Sequence, residues 1–321
     1  MVPQRHTATD LRPPVPATNG PTPRRARAAP WSDGTHLVAG HPEPGARLPA
    51  WTRPRGRRGL APRAAREAAR GGGTVHLLQV AATALAREQG RAALRTAATA
   101  CRDEAGDRVT VETEQVVGDP SEVLVAAAPA ARLVVTGRRD STSWHSTSSV
   151  SAALADLTDV AMCVVPPSWS APRRSLVAVG LDPERPDRAA VTEAVRRARL
   201  ARAVLRVLVN RPGSLAPDPA EGLDELRRRA HEVVTECGGD ACDVEVSVVE
   251  GHPASGLLAA ARSADLLVLG RREHRGGPAT YLGPVARAVL PWAECPVVLS
   301  RPEHEREPGP TRVPAGEDLG P

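Results

Sequence analysis

Two glycine-bearing stretches hold the residues best suited to chemistry in this chain. One is Gly180-Leu181-Asp182. The other is Gly270-Arg271-Arg272-Glu273-His274-Arg275-Gly276-Gly277, followed shortly by Gly283-Pro284-Val285. A glycine loop that runs into a helix N-terminus presents backbone N–H donors and the positive end of the helix dipole, which suits phosphate. Asp182 can accept hydrogen bonds from an adenine or ribose edge. Arg271, Arg272 and Arg275 either add phosphate partners, since guanidinium pairs well with phosphate oxygens, or form a solvated loop. Two residues oppose that chemistry. Glu273 adds a carboxylate to the glycine loop, and Pro284 lacks the N–H that a helix start would offer. At roughly 1–3 kcal/mol for each lost polar contact, the two together make such binding weak.

These stretches meet only if the right elements carry them. In an open parallel sheet, ligands bind beyond the carboxyl ends of the strands, where the winding reverses. Ser175–Leu181 reads as a buried strand, Ala189–Ala201 as a helix, Val204–Val209 as a strand and Pro219–Glu236 as a charged amphipathic helix. A strand over Val244–Val249, a short helix from Pro253 to Arg262 and an apolar strand over Leu266–Leu269 follow. The glycine loop then leads to a helix over Val285–Trp292 and a last strand at Val297–Leu299. Strands alternating with helices at these lengths imply right-handed crossovers and a five-stranded parallel sheet covered on both faces.

The preceding residues repeat that order. Gly118 and Gly251 stand 133 residues apart, as do the strand-ending Gly137 and Gly270, and Cys163 and Cys295, which open apolar runs, are 132 apart. So constant an offset means a duplicated α/β domain rather than a solenoid of short repeats. Strands are expected over Thr74–Val80, Val109–Val116, Leu133–Thr136 and Met162–Val165. Helices are expected over Ala82–Glu104, Pro120–Ala128 and Val150–Leu157. The opening strand and helix of this first copy are eroded. His36–Gly40 is a candidate worn strand and Pro62–Arg70 a remnant helix. The expected division is a Pro/Arg-rich disordered leader over 1–55, a degenerate domain over 56–168, a second domain over 172–301 and a disordered tail over 302–321.

Composition excludes several functions. The 321 residues contain no Phe, one Tyr, two Met and no lysine, so Ala, Val and Leu must build the cores. Without lysine there is no Walker A loop, no kinase-type lysine and no Schiff-base chemistry. The net charge of +5 hides a division. Residues 1–70 hold thirteen Arg against four acidic residues, a net of +9, which leaves the remainder at −4. A nucleic-acid-binding fold needs its basic patch on the ordered body, so specific DNA or RNA binding is not expected. The five cysteines read as reduced thiols, Cys237 and Cys242 included, because no His pair accompanies them. The N-terminus lacks the apolar core of a signal peptide and no run is long enough to cross a bilayer, which points to the cytoplasm and no membrane partner.

The arrangement resembles the universal stress protein family, over roughly residues 60–301 as two tandem copies of its adenine nucleotide alpha hydrolase-like fold. Gly270 and Gly283, thirteen apart, match the first and third glycines of the family's nucleotide loop. Val285-Ala286-Arg287-Ala288-Val289-Leu290 follows as it does there, and Cys295-Pro296-Val297-Val298 matches the closing strand. The resemblance implies ATP or a related adenine nucleotide as ligand, held in the second copy by Gly180, Asp182, Leu269, Gly270, Arg272, Gly276, Gly283 and Val285. Glu273 replaces the family's second glycine and Pro284 its Ser/Thr. The first copy departs further, with Gly137-Arg138-Arg139-Asp140 leading to Ser148-Ser149 where a glycine is expected. His145 among these serines lacks an orienting carboxylate and reads as part of a polar surface loop.

The resemblance implies a non-catalytic stress-response protein that binds adenine nucleotide weakly. The alternative is a nucleotide-free interaction scaffold of the same fold, and a nucleotide hydrolase ranks last because neither a metal cluster nor a triad is legible. The family commonly pairs through its last strand, an edge that needs covering. Met162–Val165 and Val297–Ser300 are therefore expected to pair within one chain, as a pseudo-two-fold monomer, with a homodimer left open.

Overall fold

A computed structural model of the protein describes residues 36–40, 59–71, 73–81, 84–138, 150–167, 169, 175–211, 219–273 and 280–302. The first half comprises β1 (His36–Gly40), α1 (Leu60–Gly71), β2 (Thr74–Ala81), α2 (Ala84–Ala105), β3 (Thr110–Val117), α3 (Pro120–Ala127), β4 (Leu133–Gly137), α4 (Val150–Leu157) and β5 (Ala161–Val165). The second comprises β6 (Leu176–Leu181), α5 (Arg188–Ala201), β7 (Val204–Arg211), α6 (Pro219–Glu236), β8 (Val244–Glu250), α7 (Pro253–Ala261) and β9 (Leu266–Leu269). A small hairpin of β10 (Arg272–Glu273) and β11 (Thr280–Tyr281) follows, then α8 (Pro284–Val289) and β12 (Val297–Leu299).

Local chemistry starts equivalent helices in equivalent ways. The Asp119 carboxylate accepts from Ser121 N at 2.9 Å and Glu122 N at 3.0 Å, and Pro120 takes the first helical position of α3. At α7, His252 Nδ1 accepts from Ala254 N at 3.3 Å and Pro253 repeats the role of Pro120. Gly251, just before that cap, has φ +94°, a backbone conformation that favours glycine.

Among the described residues, ten strands form one sheet in the order β3-β2-β1-β4-β5-β12-β9-β6-β7-β8. Each half is parallel throughout and has the same internal order. The halves join through β5 and β12, which run antiparallel with Val297 opposite Val164, Val298 opposite Cys163 and Leu299 opposite Met162. The expected pairing of the last strands within one chain is thus observed. Both strands are wholly buried, so the edge each half would otherwise expose is covered by the other.

Two continuous cores run through both halves. Helices α1, α2, α5 and α6 pack on one face of the sheet, α3, α4, α7 and α8 on the other. Alternate residues of β2 serve the two faces, Val75 and Leu77 one, Leu78 and Val80 the other. At about 1.5–3 kcal/mol for each fully buried Val or Leu, these shared cores bind the halves to each other as well as each half internally.

Three expectations need revision. First, β1 lies inside the span assigned to the leader and pairs with both β2 and β4, so the first half begins by His36 rather than at 56. Together with the twelve-residue α1 it completes the five-strand order; the erosion is in sequence, and the rest of the leader and the tail lie outside the described residues. Second, Cys163 and Cys295 are not equivalent. Pairing with β4 sets Met162 beside Val134, and pairing with β9 sets Val297 beside Leu267, so Cys163 matches Val298. Third, α8 ends at Val289, short of the expected Trp292, and the glycine loop contains a hairpin. No described helix is long and apolar enough to cross a membrane.

Candidate functional site

Strands β6 and β9 are neighbours with Val179 opposite Val268, which sets Gly180–Asp182 beside Leu269–Gly270 at the carboxyl ends of the second half. This is its switch point, since β7 and β12 lie on opposite sides of the pair. An added Cβ on Gly180 would stand 3.1 Å from Leu257 Cδ2 of α7. Asp182 is exposed; its Oδ1 accepts from Glu184 N at 3.0 Å and its carbonyl from Arg185 N at 3.2 Å, forming a tight turn at the rim. Leu269 is buried, and its carbonyl accepts from Ser300 N at 3.0 Å.

Gly270 is required by packing. A Cβ there would fall 1.6 Å from Asp187 Oδ2, while Oδ1 of the same carboxylate caps α5 by accepting from Ala190 N at 2.8 Å. The acid that starts α5 is therefore seated on the glycine of the loop. Sequence reasoning missed Asp187, although an Asp directly before a helical run is a recognisable cap signal.

Arg271 corrects the phosphate-partner expectation. It is 3% exposed. Nε donates to Ser300 O at 2.8 Å, Nη1 to Thr158 O at 2.5 Å and to Ala155 O at 3.4 Å, and Nη2 to Val160 O at 2.5 Å. Three of these carbonyls lie at the end of α4 and before β5, in the first half. Burial lowers the guanidinium pKa to about 10, against the opposing charges of Asp159 and Asp156. Its counterpart Arg138, one repeat earlier, reaches the other way and donates to Leu290 O at the end of α8 at 3.0 Å. The arginine after each strand-ending glycine closes off a helix of the opposite half.

Arg272 and Glu273 form β10, paired with Tyr281 and Thr280 of β11. Gly276 lies outside the described residues, as do His274, Arg275, Asp140 and His145. Gly283 is buried in extended backbone before α8, and Val285 is half-buried on its first turn. Leu282 N, just ahead of Gly283, donates to Asp156 Oδ1 of α4 at 3.3 Å, while Arg287 Nε donates to Leu282 O at 2.8 Å. No sequence signal foretold Asp156, which is 126 residues away from Leu282. The structure thus brings Gly180, Asp182, Leu269 and Gly270 together and ties the Leu282–Val285 end to the first half.

A cleft of about 630 Å³ opens elsewhere, between the halves, and includes Arg132 and Ala161 on one side and Arg188, Thr192, Arg196 and Arg301 on the other. None of its lining residues belongs to the predicted set. Most of its charged groups are paired, Arg188 with Glu236 and Arg196 with Glu193 among them.

The order and spacing of these segments agree with comparison. Residues 173–301 match the model of the Universal stress protein family. The second half is the part of the chain that resembles this family in sequence. The fold is similar to that of a putative universal stress protein from Pseudomonas aeruginosa UCBPP-PA14, with 19% identity, 84% of this chain and 93% of that chain covered, and a TM-score of 0.54. A universal stress protein from Archaeoglobus fulgidus DSM 4304 gives 16% identity, 76% and 90% coverage and a TM-score of 0.56. An Archaeoglobus fulgidus universal stress protein in complex with dAMP aligns at 21% identity over 39% of this chain and 95% of that chain, with a TM-score of 0.31. The search of curated proteins returned no match. Coverage of 84% exceeds what the second half alone can supply, so the first half shares the universal stress protein fold.

Proposed function

We propose that the chain is a non-catalytic universal stress protein acting as an interaction scaffold, in which the nucleotide loop of the second half has been given over to joining the halves. The observation that carries this is the capture of the loop by the first half. Arg271 is spent on the Thr158, Val160 and Ala155 carbonyls, and Leu282 N, at the entrance to α8, is bound to the Asp156 carboxylate. Pro284 supplies no donor at the first position of α8. A phosphate group arriving here would meet Asp156 and Asp187 and lose the arginine nearest the strand end.

A second reading keeps weak adenine-nucleotide binding at the rim of β6. It is favoured by Asp182, which stands exposed beside the β6–β9 switch point with a carboxylate oxygen turned to form the turn there. The Archaeoglobus protein in complex with dAMP supplies the ligand class for this reading. Titration calorimetry of the full chain with ATP at millimolar concentration separates the two. No heat of binding supports the scaffold. Saturable binding that Asp182→Ala abolishes overturns it in favour of the nucleotide reading.

A further inference from the structure

Helices α1 and α5 are equivalent elements of the two halves, and their buried positions align at one constant spacing. Leu60, Ala61, Ala64, Ala65 and Ala68 of α1 correspond to Ala190, Val191, Ala194, Val195 and Ala198 of α5, all buried. On that register Arg63 corresponds to Glu193 and Glu67 to Arg197. Both positions carry opposite charge in the two halves.

These four residues meet. Arg197 Nη1 is ion-paired with Glu67 across the junction, both side chains 3% exposed. Within α1, Arg63 Nη2 lies 2.6 Å from Glu67 Oε1; within α5, Arg197 Nη2 lies 2.8 Å from Glu193 Oε1. Burial would favour neutral groups, yet Arg197 is shifted toward its charged form by Glu67 and Glu193, and Glu193 by Arg196 and Arg197. The strands describe the same symmetry. Cys163 and Val298 are equivalent by strand position and also face each other, so the pseudo-two-fold axis passes through that pair. Near a two-fold axis, equivalent residues meet. Glu67 and Arg197 are such a pair.

In a junction between two like halves the same position would meet its own copy, Glu67 against Glu67 or Arg197 against Arg197, at a site water does not reach. Two like charges there repel, and each keeps only the partner on its own helix, Arg63 or Glu193, having lost the one across the junction. We infer that the exchange of charge between Arg63/Glu67 and Glu193/Arg197 commits each half to the unlike half of the same chain and rejects a like half from a second copy. Attraction selects the partner, and repulsion excludes the alternative that the shared fold would otherwise permit.

Full-length charge-reversal variants test this. Glu67→Arg and Arg197→Glu should each lower the folded-to-unfolded ratio in urea by about 100-fold or more, because each leaves buried like charges together. The double variant Glu67→Arg/Arg197→Glu should recover most of that loss. Co-expression of the two single variants under different tags reads partner choice directly. Exchanging halves restores an Arg–Glu pair at both junctions, so a one-to-one mixed dimer is expected by light scattering, whereas two tagged native chains should give none. Single variants that fail to fold alone still decide the matter, since co-expression supplies each with a matched partner. Unshifted single variants, a double variant no more stable than the singles, or no mixed dimer beyond the native level would each overturn the inference.

Discussion

The Arg271 guanidinium, from the residue that follows the strand-ending glycine of the second half, donates to Val160 O of the first half at 2.5 Å. The same side chain serves Thr158 and Ser300, and a charged donor held by several carbonyls in a dry junction is difficult to replace. Substituting Arg271→Ala should cost about 3 kcal/mol in urea unfolding, through the buried carbonyls left without a donor. Arg271→Lys should recover less than half of that, because an ammonium lacks the planar fork.

Gly270 and Asp187 form a second obligatory pair. Gly270→Ala should destabilise by about 2 kcal/mol, since the new methyl and the capping carboxylate cannot occupy the same volume. Asp187→Ser in the Gly270→Ala background should return part of the loss by shortening the cap while keeping an acceptor for the α5 N–H groups. Thermal unfolding of the two variants side by side checks this. An Ala variant as stable as the native chain would show that the Asp187 carboxylate can move aside without cost.

The junction should weaken in acid. Burial alone would raise the Glu193 carboxyl, but hydrogen bonds and charge from Arg196 and Arg197 outweigh it and hold the group below its usual value near 4.5. A carboxyl depressed in the folded state stabilises above the unfolded pKa and loses that contribution as pH falls through the folded one. Urea midpoints should therefore decline as pH drops below about 4.5, and Glu193→Gln should flatten that slope.

Thiol reactivity should divide the five cysteines. Burial pushes the Cys101 and Cys295 thiols up to about 12 and raises those of the enclosed Cys163 and the more accessible Cys242. Cys237 and Cys242 are only half-buried and no disulfide joins them. A chromogenic disulfide reagent should label Cys237 and Cys242 in the native protein, and the other three only after unfolding.

The nucleotide reading predicts a gain of affinity when the loop is brought toward the universal stress protein pattern. Glu273→Gly with Pro284→Ser removes a carboxylate and returns an N–H and a hydroxyl at the start of α8. An affinity gain of at least about tenfold for ATP over the native chain is expected by calorimetry. Adding Asp156→Asn should increase it further by lifting a negative charge from Leu282 N.

Much of the architecture was legible in one dimension. Strands and helices follow hydrophobic period, Pro and Gly mark their starts, and the recurrence of Gly118 as Gly251 and Gly137 as Gly270 exposes the duplication. The Gly180–Asp182 and Leu269–Gly270 rim was legible for the same reason, because strand ends can be read locally. The arginine pair was not. Arg138 and Arg271 look like loop cations until the sheet joins at β5 and β12, and then each lies against a helix end of the opposite half.

The chain's own order of residues thus determined two copies of one α/β unit, the succession of strands and helices in each, and which glycines end the strands. Tertiary structure decided what those glycines and arginines are for. Local pattern depends on neighbours a few positions away, whereas the Asp187–Gly270 contact, the Asp156–Leu282 hydrogen bond and the Glu67–Arg197 pair join residues from separate elements. Which charges become buried together, and so which must be complementary, is fixed only when the two halves close on each other.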